Sequence, residues 1–187
     1  MRLLVTREDY FDAAMTLLAK EGEGKLKISS LCKALNVTTG SFYGYFGSLD
    51  GFVDEFLVYW EQSQTDRIVE LSNAPADPVQ RVHLMKNLAA QIPHNAEAAI
   101  RSWAHTNVRV AEAQKRVDTR RQRALSDILL PGVRTRRQAN RLAFMGITLL
   151  VGLQQWRAPV TKKDFDMLFD EYESVILSRM AGDAAAS

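Results

Sequence analysis

The sequence predicts an all-α protein with a small N-terminal three-helix unit and a larger C-terminal bundle. Three observations carry that prediction. Apolar residues recur three and four positions apart through nearly every segment, which is the spacing of one helix face. Helix start and stop signals fall between these stripes. No run of alternating polar and apolar residues marks a strand, and no internal repeat is evident. A length of 187 residues allows one or two domains with real cores, and 47% hydrophobic and 25% charged residues are ordinary for a globular chain.

Each element has a local reason. Thr6 and Asp9 form a capping-box pattern, followed by a stripe of Tyr10, Phe11, Ala14, Leu17 and Leu18. Gly22 and Gly24 end that helix. The "GEGK" around them lacks the spacing and the preceding strand of a phosphate loop. Ile28, Leu31 and Leu35 predict a second helix of about two turns. Asn36 suits a left-handed turn, and Thr38 can cap a third helix in which Phe42 and Phe46 share a face. A longer helix starts at Ser48, with Phe52, Phe56 and Trp60 in register. "SNAPADP" at 72–78 reads as a connection. Further helices are expected over 79–91, 95–105, 107–130 with Asn107 as cap, 134–155 and 164–180, interrupted by Pro93 and by "PG" at 131–132. The tail "AGDAAAS" is expected to fray. The domain limits that follow are 1–47, a connecting helix over 48–72, and 73–187.

Two short helices joined by a tight turn and braced by a helix in front make a helix-turn-helix, which places the start of its second helix in the major groove of DNA. Within "TTGSFYGYF", Phe42 and Phe46 then point inward. Thr38, Thr39, Ser41 and Tyr43 can point outward, and Gly40 and Gly44 remove bulk so that the backbone can approach a duplex. The longer stretch "ISSLCKALNVTTGSFYGYFGSLDGFVDEF" resembles the DNA-binding signature of the tetracycline-repressor (TetR) family of bacterial regulators. The resemblance covers about the first quarter of the chain.

It implies DNA contacts at Lys27, Ser29, Thr38, Thr39, Gly40, Ser41, Tyr43 and Tyr45. It also implies a divergent ligand-binding and dimerisation domain behind them. The sequence departs from the family pattern in four places. Asn36 stands where Gly is usual, Thr39 where a basic residue is common, Leu49 where a phosphate-binding Lys is usual, and Lys27 where a capping Thr opens the second helix. Residues 1–50 hold six basic and six acidic residues, a weak electrostatic footprint for DNA. Residues 115–141 hold nine basic residues against two acidic ones, and read first as a solvated face.

The function expected from the sequence is a homodimeric, ligand-responsive transcriptional regulator, a repressor released from a palindromic double-stranded DNA operator by a small-molecule effector. Trp103, Asn107, Phe144, Thr148 and Trp156 mix aromatic surface with polar handles and are the expected effector contacts. Leu142, Met145, Leu149 and Leu153, with Phe165, Phe169, Tyr172 and Ile176, are the expected dimer surface, since the family pairs two late helices from each subunit. The alternative is a helical protein-interaction module that has lost DNA binding. An enzyme is not expected, because no nucleophile elbow, catalytic triad or nucleotide loop appears. Neither a cofactor nor a metal is expected, since His83, His94 and His105 lack ligand spacing. Cys32 reads as a buried structural thiol. One cysteine, no apolar run of about 20 residues and an early acidic N-terminus predict a cytoplasmic protein with no membrane partner.

Overall fold

A computed structural model of the chain describes residues 5–63, 70 and 75–185. The described residues form nine α-helices and no strand. They are α1 (Arg7–Glu21), α2 (Ile28–Leu35), α3 (Thr39–Phe46), α4 (Leu49–Glu61), α5 (Pro78–Ala89), α6 (His94–Ala104), α7 (Val108–Leu129), α8 (Arg136–Trp156) and α9 (Lys162–Ala185). The all-α fold with a helix-turn-helix at its start is as the periodicity predicts.

The chain divides into two compact units. The first comprises residues 1–61 with 93–114, and the second 62–92 with 115–187. Residues 93–114, which the sequence reading assigned to the C-terminal span, therefore pack with the N-terminal helices: α6 lies along α1. The physical reason is that the stripe of α1 is wide. Tyr10, Phe11, Ala13, Ala14 and Leu18 are all buried, more surface than two short helices can cover.

Caps set most helix starts. The Thr6 hydroxyl accepts from the Asp9 N–H at 3.2 Å, and the Thr6 N–H donates to the Asp9 carboxylate at 2.7 Å. Asn107 does the same work for α7 by accepting from the N–H groups of Arg109 and Val110 at 3.0 and 3.3 Å. α9 starts at Lys162, two residues earlier than the apolar stripe suggested. Thr161 and Asp164 form a second reciprocal cap there, which holds the Asp164 carboxyl below the usual carboxylate range, Thr161 being the main cause. The tail expected to fray is helical through Ala185, as its alanines favour. Of the expected connection at 72–78, residues 72–74 lie outside the described residues. Asp77 at its end caps α5.

In the second unit, α8 and α9 supply the core, with Ala139, Leu142, Ala143, Leu150 and Leu153 against Phe165, Phe169, Tyr172, Ile176 and Met180. The rings of Phe165 and Phe169 stack at 4.3 Å. α5 docks on α9 through Lys86, which bonds Glu173 and, at 2.9 Å, Asp170, while His83 Nδ1 lies 2.8 Å from Glu173. The tightest helix approach is at Gly146. A Cβ there would sit 2.5 Å from the Tyr172 hydroxyl oxygen. That hydroxyl donates to the Leu142 carbonyl at 2.7 Å, and burial pushes its pKa well up, so it stays a donor.

Gly146→Ala is expected to destabilise the protein by about 1–3 kcal/mol in urea unfolding, through overpacking. The same Cβ would meet two Tyr172 ring carbons at 2.7 and 2.9 Å, so Tyr172→Phe, which removes only the oxygen, should relieve only part of that cost in the double variant.

Candidate nucleic-acid interface

The turn before α3 begins with Asn36, the one described non-glycine residue at positive φ (φ 53°, ψ 46°). Its N–H donates to the Lys33 carbonyl at 3.3 Å, and the Val37 N–H to the Cys32 carbonyl at 3.0 Å, closing α2. Thr38 then caps α3, its hydroxyl accepting from the Ser41 N–H at 3.3 Å. The Cys32 thiol lies under this turn, 3.6 Å from the Thr38 carbonyl, and burial raises its pKa. It is a packed thiol, as its sequence context suggests.

The eight residues of α3 split into two faces. Phe42 and Phe46 are buried, and Ser41 and Tyr45 are half-buried beside them. Thr39, Gly40, Tyr43 and Gly44 form the opposite, exposed arc, with Tyr43 52% exposed. The inner face is fixed by rings. Phe42 lies 5.7 Å from Tyr10 and 5.5 Å from Phe52; Phe46 lies 5.3 Å from Tyr10 and 5.0 Å from Phe52.

Two expected contact residues take other roles. Tyr45 turns inward, and its hydroxyl donates to the Val5 carbonyl at 2.5 Å with the Arg7 guanidinium over its ring. Ser41 accepts from the Tyr10 hydroxyl at 3.2 Å. A helix of eight residues has room for only about four outward positions, and these two fall on the other side. Lys27, Ser29, Thr38, Thr39, Gly40 and Tyr43 are exposed.

The two glycines of α3 are informative because the fold does not need them. A Cβ at Gly44 would meet nothing within 4 Å, and one at Gly40 only the Thr38 hydroxyl at an ordinary 3.7 Å. Glycine inside a helix costs about 1 kcal/mol against alanine. The exposed arc is thus stripped of bulk at a cost to stability, with no clash inside the chain to explain it.

Its charge is less neutral than residues 1–50 taken together. Between positions 25 and 49 stand Lys25, Lys27 and Lys33 and no acid. Several of the acids that balance the total are engaged elsewhere: Asp9 in its cap, Asp12 accepting from Tyr59 at 2.8 Å, and Asp50 with Arg109 at 2.8 Å. Arg109 also bonds Asp54 at 2.9 Å, which ties the start of α7 to α4. The sequence carries no local sign of that pairing, because its members stand 55 and 59 positions apart.

With this geometry in place, comparison with known proteins is decisive for the N-terminal segment. Residues 11–56 match the family model described as bacterial regulatory proteins, tetR family. The N-terminal segment carries the DNA-binding signature of the TetR family. The matched span runs from the aromatic stripe of α1 through the turn and α3 into α4. No curated protein matches the chain in sequence.

Among solved structures, a TetR transcriptional regulator from Legionella pneumophila superposes with a TM-score of 0.76 at 15% identity, covering 95% of this chain and 98% of its own. A transcriptional regulator from Rhodococcus gives 0.72 at 17% identity, with 93% and 97% covered. A transcriptional regulator from Saccharomonospora viridis, solved in complex with choline, gives 0.73 at 15% identity, with 90% and 95% covered. At these identities the likeness is one of fold.

The other expected sites of the chain fall in both units. Trp103 is half-buried in the first unit, and Asn107 is the cap of α7. Phe144 (62% exposed), Thr148 and Trp156 (79% exposed) face solvent in the second unit, and Arg157 lies over the Trp156 ring. The apolar face of α8 points inward, which leaves these three on its polar side. The expected dimer residues Leu142, Leu153, Phe165, Phe169, Tyr172 and Ile176 are buried inside this chain, and Met145 and Leu149 are half-buried. Their contacts are used within the chain's own core.

Sequence reading missed interior polar groups. His94, Glu97 (0% exposed) and Arg101 share one face of α6, and Gln114 is buried on α7. Only their i, i+3, i+7 spacing hinted at it, and charged residues at such spacing read first as a solvated face.

Asn36→Ala is expected to cost about 1 kcal/mol of stability through left-handed strain, and Asn36→Gly to cost nothing. Gly44→Ala should raise stability by roughly 1 kcal/mol while weakening duplex binding; calorimetry and a binding titration read the two opposite signs.

Proposed function

We propose that the protein is a ligand-responsive transcriptional repressor that binds a palindromic operator as a homodimer and leaves it when a small-molecule effector binds. The observation that carries the DNA reading is the exposed arc of α3. Thr38, Thr39 and Tyr43 offer hydroxyls, and Gly40 and Gly44 leave open space where a helix interior normally carries side chains. Lys27 and Ser29 at the start of α2 lie exposed for phosphate contact. One such helix reads a few base pairs, and two half-sites about one turn apart multiply the specificity.

The dimer reading is supported by the outer faces of α8 and α9, where Phe144 and Met167 are exposed large apolar side chains. The effector reading draws on His94, Glu97 and Arg101, polar side chains gathered on one buried face of α6, since ligand sites combine an apolar setting with a few polar groups. One structural neighbour was solved with choline, which shows a small molecule held by that protein. The Arg109 bonds to Asp50 and Asp54 are the proposed link by which a change at α7 reaches α4 and the reading helix. An effector shifts that balance only by its difference in affinity for the two states. No helix among the described residues is long and apolar enough to cross a membrane, which suits a cytoplasmic regulator.

The second reading, a protein-interaction module, draws on Thr39 and Leu49, which leave two common phosphate-binding positions uncharged.

Selection of bound fragments from a random duplex library should recover a palindrome with the wild-type chain and nothing with a folded Thr39→Ala, Tyr43→Ala variant. Failure of the wild type to enrich any site would favour the protein-partner reading. The uncharged positions predict few phosphate contacts, so log K against log salt should be shallower than about −5, the slope of roughly six neutralised phosphates. A steeper slope would contradict it.

A further inference from the structure

We propose that the N-terminal end of α8 and the C-terminal end of α9 form a binding site for a small molecule carrying a diphosphate group and an apolar or aromatic body. This goes beyond the operator and effector readings and does not rest on them. The two helix ends enclose a surface cleft of about 610 Å³, within the size range of small-ligand sites. Arg134, Arg137 and Arg141 enter it from the α8 side and Arg179 from α9. Leu142, Met145 and Val175 supply its apolar wall. Arg137 and Arg141 also line a second, shallower cleft of about 560 Å³ with Phe144, so these two guanidinium groups stand on the ridge between the clefts.

Two features separate these arginines from an ordinary solvated face. The first is their lack of carboxylate partners. Several basic groups of the same unit are matched: Lys86 with Glu173 and Asp170, Arg136 with Asp127, Arg157 with Asp164, and Lys162 with Asp166. Among the described residues, the side chains of Arg134, Arg137, Arg141 and Arg179 form no ion pair. The single acid in the cleft, Asp183, already accepts from the backbone N–H of Arg134 at 3.1 Å.

The second is position. Arg137 sits in the first turn of a 21-residue helix, where the peptide dipoles place partial positive charge and disfavour cations, with Arg134 just before the helix and Arg141 one turn further on. Arg137 and Arg141 are also one turn apart, where like charges repel. The arrangement lowers stability, and an anion between the guanidinium groups would relieve it.

The spacing selects the anion. Residues four apart are separated by about 6 Å along a helix axis, so the Arg137–Arg141 pair suits two linked anionic groups better than one. Guanidinium forks bind phosphate oxygens two at a time, and Arg179 approaches from the facing helix. Leu142, Met145 and Val175 then offer a dry surface for the rest of the molecule. That body is either an aromatic base, as in a nucleoside diphosphate, or an alkyl chain.

The test is isothermal titration of the full chain at low salt with ADP, a short-chain alkyl diphosphate and inorganic pyrophosphate, with adenosine as the uncharged control. Binding of the diphosphates without adenosine is expected, and the tighter of ADP and the alkyl diphosphate names the body. Arg137→Gln, Arg141→Gln should weaken binding at least tenfold. Arg137→Lys, Arg141→Lys should weaken it less, since charge survives and the planar fork does not. Arg179→Gln serves as the second variant if the double change unfolds the chain, as read by circular dichroism. No heat from any diphosphate up to millimolar concentration, or unchanged affinity in the variants, would overturn the proposal. So would a variant that lost only duplex DNA binding, assigning the arginines to a nucleic-acid backbone, or one that changed only the oligomeric state, assigning the cleft to a contact between copies.

Discussion

Phe42 and Phe46, one turn apart on α3, close on Tyr10 and Phe52 at ring distances of 5.0–5.7 Å, and the DNA-reading arrangement depends on that cluster. An eight-residue helix is too short to be stable alone. Its place is set by what its inner side chains bury. Each fully buried aromatic contributes roughly 1.5–3 kcal/mol by leaving water, and edge-to-face pairing adds about 0.5–1.5 kcal/mol. Tyr10 touches both phenylalanines and also donates to Ser41, so a single ring on α1 holds three residues of α3 in register.

Once the inner face is fixed, the outer face follows from the 100° step of the helix. Thr39, Gly40, Tyr43 and Gly44 have nowhere to go but outward. The open space above both glycines then has a consistent meaning. Alanine at Gly44 would fit and would help the helix, so no contact within the described residues calls for glycine there. A duplex pressed against the backbone would call for it. In the proposed complex the uncharged Thr39 and Leu49 would leave phosphate binding to hydroxyls, backbone N–H groups and lysines such as Lys27. Positions 25–49 carry Lys25, Lys27 and Lys33 without an acid, so the charge of this stretch favours a duplex more than the neutral total over residues 1–50 suggested.

Much of this was legible in the sequence because it is local. The capping box at Thr6, the left-handed Asn36, the Thr38 cap and the Phe42–Phe46 pair each involve residues within four positions, and periodicity plus turn chemistry reports them. Tyr45 was misplaced because residues one and two steps from a buried pair sit near the border of a face, and its partner, the Val5 carbonyl, is 40 positions away. The stripe of α8 and α9 was legible as apolar, but not as already covered: a stripe reads the same whether it meets its own chain or another. Phe144 and Trp156 show the converse, large rings that look like interior and stand in solvent. Glu97 and Arg101 were hidden by their charge. The Arg109 link and the arginine cleft are tertiary facts that no local pattern encodes.

The central claim is that the outer arc of α3 touches DNA. It is tested most directly by placing the photo-crosslinking residue p-benzoylphenylalanine at position 43 of the full chain, and separately at position 156, and irradiating each with duplex DNA. Both positions are exposed and accept a large ring, so both proteins should fold. The account predicts a crosslink to the duplex from position 43 and none from position 156. Bound DNA without a crosslink at 43 would place the interface elsewhere and contradict the account.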